Sequence, residues 1–164
     1  MNVRGEIDLP DSVLERLDIA IASIHMPCFK DERTIDNVTA AYEKVMEHPY
    51  VDIIGHPDDG RFPVDMKRLV KKAKETGTLL EVNNSSLRPE GFRENTKENC
   101  LEMVKECKAQ GVMIVLGSDS HVDADIAEYP YAEEILRETD FPEELVANVS
   151  LEKLKACIKH GKKL

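Results

Sequence analysis

Four short apolar runs, spaced about 30 residues apart, restrict the fold of this chain more than any other feature of its sequence. They lie at residues 17–24, 51–54, 78–82 and 111–116. Between them, apolar residues recur at the spacing of an amphipathic helix. Strands that alternate with helices form right-handed βαβ units, so the pattern predicts an α/β fold built on a parallel sheet.

Capping and helix-breaking residues set the bounds of the predicted helices. The apolar spacing predicts helices at 35–48, 64–76, 96–110, 123–139 and 151–160. Asn95, with Glu98 three residues later, is typical of a capping box, and Gly77 fits the left-handed position after a helix. Pro130 is expected to interrupt or bend the segment that contains it, a loop and helix. Short extended segments are predicted at 6–9 and 146–149.

The composition excludes several classes of protein. With 164 residues, 41% apolar and 33% charged, the chain suits one globular domain. The formal net charge of −10 argues against nucleic-acid binding, because no basic surface is available to displace counterions. No apolar run approaches the roughly 20 residues needed to cross a bilayer, and the N-terminus lacks the apolar core of a signal peptide. We therefore expect a cytoplasmic protein with free thiols, no membrane association and no nucleic-acid partner.

The four apolar runs lead into side chains that bind metals or orient substrates. His25, His56 and Asn83 follow the first three runs, and Asp119 and His121 follow the fourth. Three of the five histidines thus stand at strand ends, where parallel α/β sheets place their chemistry. Imidazole and carboxylate ligands suit Zn, Mn or Fe, and a metal held this way lowers the pKa of bound water. The pattern predicts a divalent-metal site.

Taken one at a time, these residues have simpler structural explanations. His25 is more often a hydrogen-bonded histidine than a ligand, and Asp119 would serve equally as a cap at the start of a loop or helix. Glu81 is expected to be buried and paired, whereas Asp58 and Asp59 are expected to lie in a solvated loop close to the site. The metal interpretation therefore depends on the four strand ends together.

Four motifs at the strand ends resemble the polymerase-and-histidinol-phosphatase (PHP) superfamily, and they are most similar to the YcdX-type phosphatases within it. They are Ile24-His25-Met26-Pro27, Ile54-Gly55-His56-Pro57, Glu81-Val82-Asn83-Asn84-Ser85-Ser86 and Gly117-Ser118-Asp119-Ser120-His121. The resemblance extends through nearly the whole chain, including the late segments Phe141-Pro142 and Asn148-Val149-Ser150. Each motif alone is weak, whereas the two strand-end histidines followed by GSDSH are fairly specific.

The resemblance implies a fold and a metal centre. Residues 1–164 would form a single PHP-type domain, the C-terminal part of a distorted (β/α)7 barrel similar to a TIM barrel. The family implies up to three divalent metals, with Zn or Mn expected and Fe as an alternative, and hydrolysis of phosphate esters. By position, His25 and His56 would share one metal, Asp119 would bind a second and His121 a third.

The chain differs from this family at its N-terminus. The family's first strand ends in HxH, a Thr-Asp-His and a metal-bridging Glu follow, and none of these motifs occurs in this sequence. We therefore expect the first three or so strands of the barrel to be missing, which leaves fewer protein ligands for each metal. The strand at 17–24 would then be an open edge with an exposed apolar face, which favours association with another copy of the chain.

Residues around the third strand end are the candidates for substrate binding. Arg93 is the first candidate to hold a phosphate group, because a guanidinium matches phosphate oxygens in a bidentate manner. Arg88 is the second candidate, and an exposed loop arginine without a ligand is the alternative for both. Asn83 and Asn84 would orient the substrate or the metal ligands.

The leading hypothesis is metal-dependent hydrolysis of a phosphorylated small molecule by metal-activated water. Asp119 and His121 would assist proton transfer as well as bind metal. One alternative is a metal-dependent amidohydrolase or deaminase, which also places His and Asp at the strand ends of a barrel. A second alternative is an inactive fragment that only binds metal.

Overall fold

The computed structural model describes residues 1–30 and 32–159. In this part of the chain the helices are α1 (Asp11–Leu14), α2 (Ile35–Met46), α3 (Met66–Thr76), α4 (Thr96–Gln110), α5 (Pro130–Thr139) and α6 (Leu151–Cys157). The strands are β1 (Ile21–Ala22), β2 (Ile53–Ile54), β3 (Leu79–Asn83) and β4 (Ile114–Gly117). Short 3-10 helices lie at Asp123–Asp125, Glu143–Leu145 and Ala147–Val149. Strands and helices therefore alternate from β1 to α5, as the sequence predicts.

The four strands form one parallel sheet in the order β1-β2-β3-β4. The register pairs Ile21 with Ile53, Ile53 with Leu79, and Leu80 with Ile114. Right-handed crossovers between consecutive neighbours all turn to the same side, so α2, α3 and α4 pack on one face of the sheet. The predicted α/β architecture with a parallel sheet is confirmed. The barrel stays a prediction, because the described residues form an open sheet of four strands.

The two faces of the sheet are packed differently. On the helix-covered face, side chains from all four strands join α2 to α5 in the main core, where Leu69 and Met103 are fully buried. On the opposite face, α6 contributes Leu154 and Cys157 to a smaller cluster. The strand and turn members of that cluster are Ile53, Leu79, Val115 and Ala147. The candidate site lies on this second face, beyond the carboxyl ends of the strands.

Several helix ends follow capping rules. Thr34, Asp65 and Ser150 precede α2, α3 and α6, and each side chain accepts a hydrogen bond from the backbone N–H three residues later. Gly77 ends α3 at φ 67°, in the left-handed region. The last helix, predicted to reach residue 160, ends at Cys157, and residue 160 itself lies outside the described residues. Among the described helices none is both long and apolar enough to cross a bilayer, and the longest, α4, has 15 residues.

The start of α4 differs from the prediction. Asn95 has φ 51° and its side chain makes no capping hydrogen bond, so the expected capping box with Glu98 is wrong. Instead, the hydroxyl of Thr96 donates to the carbonyl oxygen of Ser86 at 2.8 Å. This bond anchors the first turn of α4 to the loop that follows β3, and the left-handed backbone of Asn95 turns its side chain away from the cap position.

Other local predictions are refined or corrected. The segment 123–139, predicted as a loop and helix interrupted or bent at Pro130, is interrupted: α5 starts at Pro130, because its missing N–H has no partner to lose at a first helical position. Residues 6–9 contain no strand. The segment 146–149 forms one parallel bridge, between Val146 and Ile114, followed by a 3-10 turn.

β1 is much shorter than the apolar run that predicted it, with two residues instead of 17–24. The side chain of Asp52 explains where pairing begins. Its Oδ2 accepts a hydrogen bond from Ala20 N at 2.9 Å, and its Oδ1 accepts one from Lys159 N at 2.8 Å. A buried carboxylate thus satisfies a backbone group just before β1 and ties it to the end of the described chain.

Candidate functional site

Five polar residues from distant parts of the sequence meet at the carboxyl ends of the strands. His25 lies three residues after β1, His56 two residues after β2, and Asp119 two residues after β4. β3 itself supplies Glu81 and Asn83, which share a face because alternate residues of a strand point the same way. The sequence prediction that these strand ends converge is consistent with this arrangement.

Glu81 is the buried centre of the group, as expected from the sequence. Its Oε2 accepts hydrogen bonds from the backbone N of His56 at 2.8 Å and from Asn83 Nδ2 at 3.2 Å. Gly117 makes room for this carboxylate, since a Cβ added at that position would collide with it. Burial raises the pKa of Glu81. The carboxyl group of Glu81 therefore binds the backbone just after β2 and packs against Gly117 at the end of β4.

Asp119 is oriented by two donors. Asn83 Nδ2 and Arg93 Nη2 donate to its Oδ2 at 3.3 and 3.2 Å. Burial opposes its ionisation, but these hydrogen bonds outweigh that effect and lower the pKa of Asp119. Its backbone has φ 50°, a left-handed conformation that costs a non-glycine residue about 1 kcal/mol. Such strain is concentrated at functional sites, which favours a functional role for Asp119.

His25 and His56 form a pair beyond β1 and β2, with ring centroids 4.9 Å apart in an edge-to-face arrangement. His25 is exposed, and its Nε2 lies 2.9 Å from Ser23 Oγ. His56 is buried at φ 36°, and its Nδ1 has no hydrogen-bond partner among the described residues. Burial, together with the positive charge of Arg93, lowers the pKa of both rings, that of His56 to about 4. Both imidazoles are therefore neutral at pH 7, the form that binds metals.

Arg93, the predicted phosphate ligand, reaches the same group. Its side chain is only 7% exposed, and its Nη1 donates to Ser86 Oγ at 2.8 Å. Its Nε lies 3.9 Å from Asp59 Oδ2 and is buried without a hydrogen-bond partner in the described chain. Ser86 is itself fixed, because its backbone N donates to Asn83 Oδ1 at 2.8 Å. The guanidinium is thus oriented by its neighbours and keeps one unused N–H.

Asp58 and Asp59 are buried, so the prediction that they lie in a solvated loop is wrong. Arg61 Nε and Nη2 bind the carboxylate of Asp59, and these hydrogen bonds outweigh burial and lower the pKa of Asp59. Neither carboxyl oxygen of Asp58 has a partner within the described residues, and burial raises the pKa of Asp58 to about 7. Asp59 also accepts the backbone N–H of Arg61 at 3.1 Å, in an Asx turn. The residue type of Asp59 indicates this turn, but nothing in the local sequence indicates that the side chain is buried.

Three further predicted site residues lie at the rim of this group. His121 is exposed, and its Nδ1 lies 3.1 Å from the carbonyl oxygen of Asp119. Asn84 Oδ1 accepts two backbone hydrogen bonds from the first turn of α5, at 2.9 and 3.1 Å. Arg88 Nη2 pairs with Asp125 Oδ2 at 2.7 Å. Asn84 therefore caps the start of α5, and Arg88 is paired with the 3-10 helix that ends at Asp125. The functional roles of His121, Asn84 and Arg88 stay predictions.

The donor set suits a metal ion in part. His25 and His56 provide neutral imidazoles, and the buried Nδ1 of His56 lacks a partner that a metal ion would supply. Both side-chain hydrogen bonds to Asp119 end on Oδ2, which leaves Oδ1 accessible to another ligand. Over residues 1–30 and 32–159, however, no three His, Cys, Asp or Glu side chains converge closely enough to hold a metal. Metal binding here would need a side-chain movement or additional ligands.

Known proteins provide an independent comparison. The chain is 45% identical over 164 residues to a probable phosphatase from Clostridium novyi and 42% identical over 158 residues to one from Acetivibrio thermocellus. It is 38% identical over 165 residues to a probable phosphatase from Caldicellulosiruptor saccharolyticus, of which it covers 67%. The chain belongs to this family of probable phosphatases. No family model matches the sequence.

The similarity to the probable phosphatases covers the chain more fully than it covers the relatives. The first two alignments include 100% and 96% of this chain but only 66% and 64% of the relatives, so the chain spans slightly less than two thirds of their length. The phosphatase family is therefore established over the chain itself. The narrower assignment to the PHP superfamily stays a prediction from the motifs.

Proposed function

We propose that this chain carries the site of a metal-dependent, PHP-type phosphatase that hydrolyses a phosphate monoester. The observation that supports this most is the pair of neutral imidazoles, His25 and His56, 4.9 Å apart at neighbouring strand ends. Phosphatase chemistry is also the activity in the names of the relatives. Four consecutive parallel strands with helices on one face are the arrangement expected of part of a (β/α) barrel.

The ionisable side chains around the site favour the binding of a cation over the binding of a phosphate group alone. Carboxyl groups outnumber the two guanidiniums, Arg61 and Arg93. They belong to Asp58, Asp59, Glu81 and Asp119. Burial raises the pKa of Asp58 and of Glu81, and a divalent cation bound beside these two carboxyl groups would favour their ionised forms, whereas a phosphate dianion would favour their protonated forms. These carboxyl groups therefore support the proposal that a metal ion is bound when the phosphorylated substrate binds.

We assign His25, His56, Asp119 and His121 as the residues that would hold divalent metal, Zn or Mn, with Fe as an alternative. A bound metal of this kind supplies a water of lowered pKa and neutralises charge on phosphoryl oxygens. Glu81 supports the assignment indirectly, because its hydrogen bond to the backbone N of His56 fixes the position of that residue. The complete family site, with up to three metals, would need ligands beyond those described.

Arg93 is the residue we assign to the phosphate group of the substrate. Its guanidinium is already oriented by Ser86 and Asp119, so little conformational entropy is lost when it binds an anion. Asn83 lies beside it and donates to Asp119, which keeps the carboxylate and the guanidinium in one fixed arrangement. Asn84 and Arg88 would act at the rim of the same site.

Asp119 and His121 are the candidates for proton transfer. Because its pKa is lowered, Asp119 is ionised at neutral pH and accepts a hydrogen bond from an attacking water rather than holding a proton. His121 is exposed two residues later, where its ring is accessible to the oxygen of a leaving group.

The open β1 edge supports a proposal about partners. Ile21 on β1 is 58% exposed and shares its face with the buried Ile53 of β2. An unpaired strand edge beside exposed apolar surface favours association, so we propose that two copies of this chain associate through β1.

Phosphate release from p-nitrophenyl phosphate tests the proposed function. The wild type and His56→Ala are assayed with added MnCl2 or ZnCl2, and His48→Ala serves as the matched control, because His48 pairs with Asp11 away from the site. We expect metal-stimulated hydrolysis, a loss of roughly 100-fold in His56→Ala and no change in His48→Ala. The Clostridium novyi relative is the positive control.

A rate that His56→Ala leaves unchanged, or that survives complete metal chelation, would contradict the proposal. Turnover of an amide or a deamination substrate without phosphate release would favour the amidohydrolase alternative. An active relative beside an inactive, metal-loaded chain would identify this chain as a metal-binding fragment.

A further inference from the structure

Phe92 is the most exposed of the large hydrophobic side chains in the described residues, at 73%, although it directly precedes the buried Arg93. Two guanidiniums contact its ring, with Arg61 Cζ 4.9 Å and Arg93 Cζ 5.3 Å from the ring centroid. Exposing an aromatic ring forgoes the free energy that its burial would contribute. The ring is therefore available to contact a molecule bound at Arg93, the proposed phosphate ligand.

The loop that carries this ring is held on several sides. Gly60 N donates to the carbonyl oxygen of Glu94 at 2.7 Å, which fixes the loop behind the ring. Arg88 pairs with Asp125 at 2.7 Å, and Gly91 N donates to the carbonyl oxygen of Arg88 at 2.9 Å in a tight turn. The ring is thus presented by an anchored segment, in a position set before any ligand arrives.

A cavity of about 280 Å³ lies beside the ring. It is lined by Ser85, Arg88, Glu90, Gly91, Phe92 and Arg93. This volume is close to the lower end of ordinary ligand pockets, about 300 Å³. Arg93 belongs both to the cavity and to the group around Asp119. A phosphate ester bound at Arg93 would therefore extend its alcohol portion into the cavity, against Phe92.

We propose that Phe92 and this cavity bind the leaving group of the substrate, and that this leaving group contains a planar aromatic ring. The inference rests on the proposed phosphatase function, which places the phosphate group at Arg93. An aromatic ring packs against an exposed phenyl ring, in an offset-stacked or edge-to-face arrangement, with a gain in affinity of about 3- to 10-fold over a non-planar ring of equal size. The substrate class is thus narrowed to phosphate monoesters of aromatic or heteroaromatic alcohols.

Benzyl phosphate and cyclohexylmethyl phosphate form a matched pair for the test, since they share charge and size and differ in the planarity of the ring. Calorimetric titration in the presence of MnCl2 gives the dissociation constants for the wild type, Phe92→Leu and Phe92→Tyr. We expect the wild type to bind benzyl phosphate about 3- to 10-fold more tightly, Phe92→Leu to lose this preference and Phe92→Tyr to retain it. Leu151→Ala removes another exposed apolar side chain, on α6, and is expected to change neither affinity.

Equal affinities in the wild type, a preference that survives in Phe92→Leu, or binding of neither ester would overturn the inference. Circular dichroism checks that Phe92→Leu keeps the fold, which its exposed position favours. Phosphate release from the two esters is measured separately. If phosphate is released from both esters at equal rates and they bind equally well, the aromatic subsite is refuted and the phosphatase function is retained. If the protein binds benzyl phosphate preferentially but releases no phosphate from either ester, the phosphatase function is refuted and the aromatic subsite is retained.

Discussion

The two edges of the sheet are completed in different ways. At the β4 edge, Asn148 Nδ2 donates to the carbonyl oxygen of Leu116 at 2.9 Å, and its Oδ1 accepts from Leu116 N at 3.0 Å. The bridge between Val146 and Ile114 adds to this cover. At the β1 edge, Ile21 is 58% exposed, and β2 is the only strand beside β1 in the described part of the chain. Just after β1, Met1 N donates to the carbonyl oxygen of Ser23 at 2.8 Å. The β4 edge is thus covered by the chain itself, whereas the β1 edge is open at Ile21 within the described residues.

The candidate site shows the same contrast. On the β3 and β4 side, hydrogen bonds connect Glu81 to Asn83, Asn83 to Asp119 and Asp119 to Arg93. On the β1 and β2 side, the buried Nδ1 of His56 has no partner among the described residues. Asp119 and Arg93 are therefore held in place by hydrogen bonds, whereas His56, on the side of the β1 edge, keeps a ring nitrogen without a partner in the described chain.

The largest expected effect comes from Gly117→Ala on the β3 and β4 side. A Cβ at this position collides with the buried carboxyl group of Glu81, so we expect the free energy of unfolding to fall by about 3 kcal/mol. Urea unfolding measures the change. Gly77→Ala is the control, because its Cβ would meet nothing within 4 Å and only the left-handed φ costs about 1 kcal/mol. Equal losses in the two variants would show that the contact with Glu81 is unimportant.

Asn148→Ala tests whether the β4 edge depends on its side-chain cover. Removal of the amide leaves both backbone groups of Leu116 without these bonds, so we expect a loss of about 2 kcal/mol in the free energy of unfolding. Thermal or urea unfolding provides the measurement. Asn37→Ala, at an exposed position of α2, removes one solvent-exposed hydrogen bond, to the carbonyl oxygen of Glu32, and is expected to cost only about 0.5 kcal/mol. If Asn148→Ala is equally harmless, the two edges do not differ as described.

Ser86→Ala tests the orientation of Arg93 with a smaller effect. Loss of the 2.8 Å hydrogen bond to Nη1 is expected to raise KM for p-nitrophenyl phosphate about fivefold, with little change in kcat. Ser86→Thr keeps the hydroxyl and is expected to restore KM. Steady-state kinetics separate the two parameters. A fall in kcat at unchanged KM would instead assign Ser86 to the chemical step.

Ile21→Lys on the open edge is expected to have the smallest effect on folding. Since the side chain is 58% exposed, the free energy of unfolding should change by less than about 0.5 kcal/mol. The charge should nevertheless oppose pairing through β1 and shift any dimer toward monomer in analytical ultracentrifugation. Self-association that Ile21→Lys leaves unaltered would contradict the proposed role of this edge.

The order of helices and strands was predictable because apolar spacing and capping act locally. Gly77 and Ser150 end and begin helices as their residue types indicate. The length of β1 was not predictable, because it depends on Asp52, which lies 32 residues after Ala20 in sequence and takes its N–H. Local sequence patterns thus predict the order of helices and strands, whereas a long-range hydrogen bond determines where β1 begins.

The same distinction applies to the candidate site. Glu81 was predicted to be buried because strand alternation places it opposite Val82. Asn83 and Asn84 are chemically identical neighbours, but one faces Asp119 and the other caps α5, a difference that depends on the position of that helix. The burial of Asp58 depends on packing from other elements, which no nearby residue in the sequence announces.

Metal content tests the central proposal most directly. The wild type and the double variant His25→Ala/His56→Ala are dialysed to equilibrium against MnCl2 or ZnCl2, and the bound metal is measured by mass spectrometry. We expect the wild type to retain at least one ion per chain and the double variant to lose it. Equal metal content in the two proteins, or none in the wild type, would contradict the account of this strand-end site.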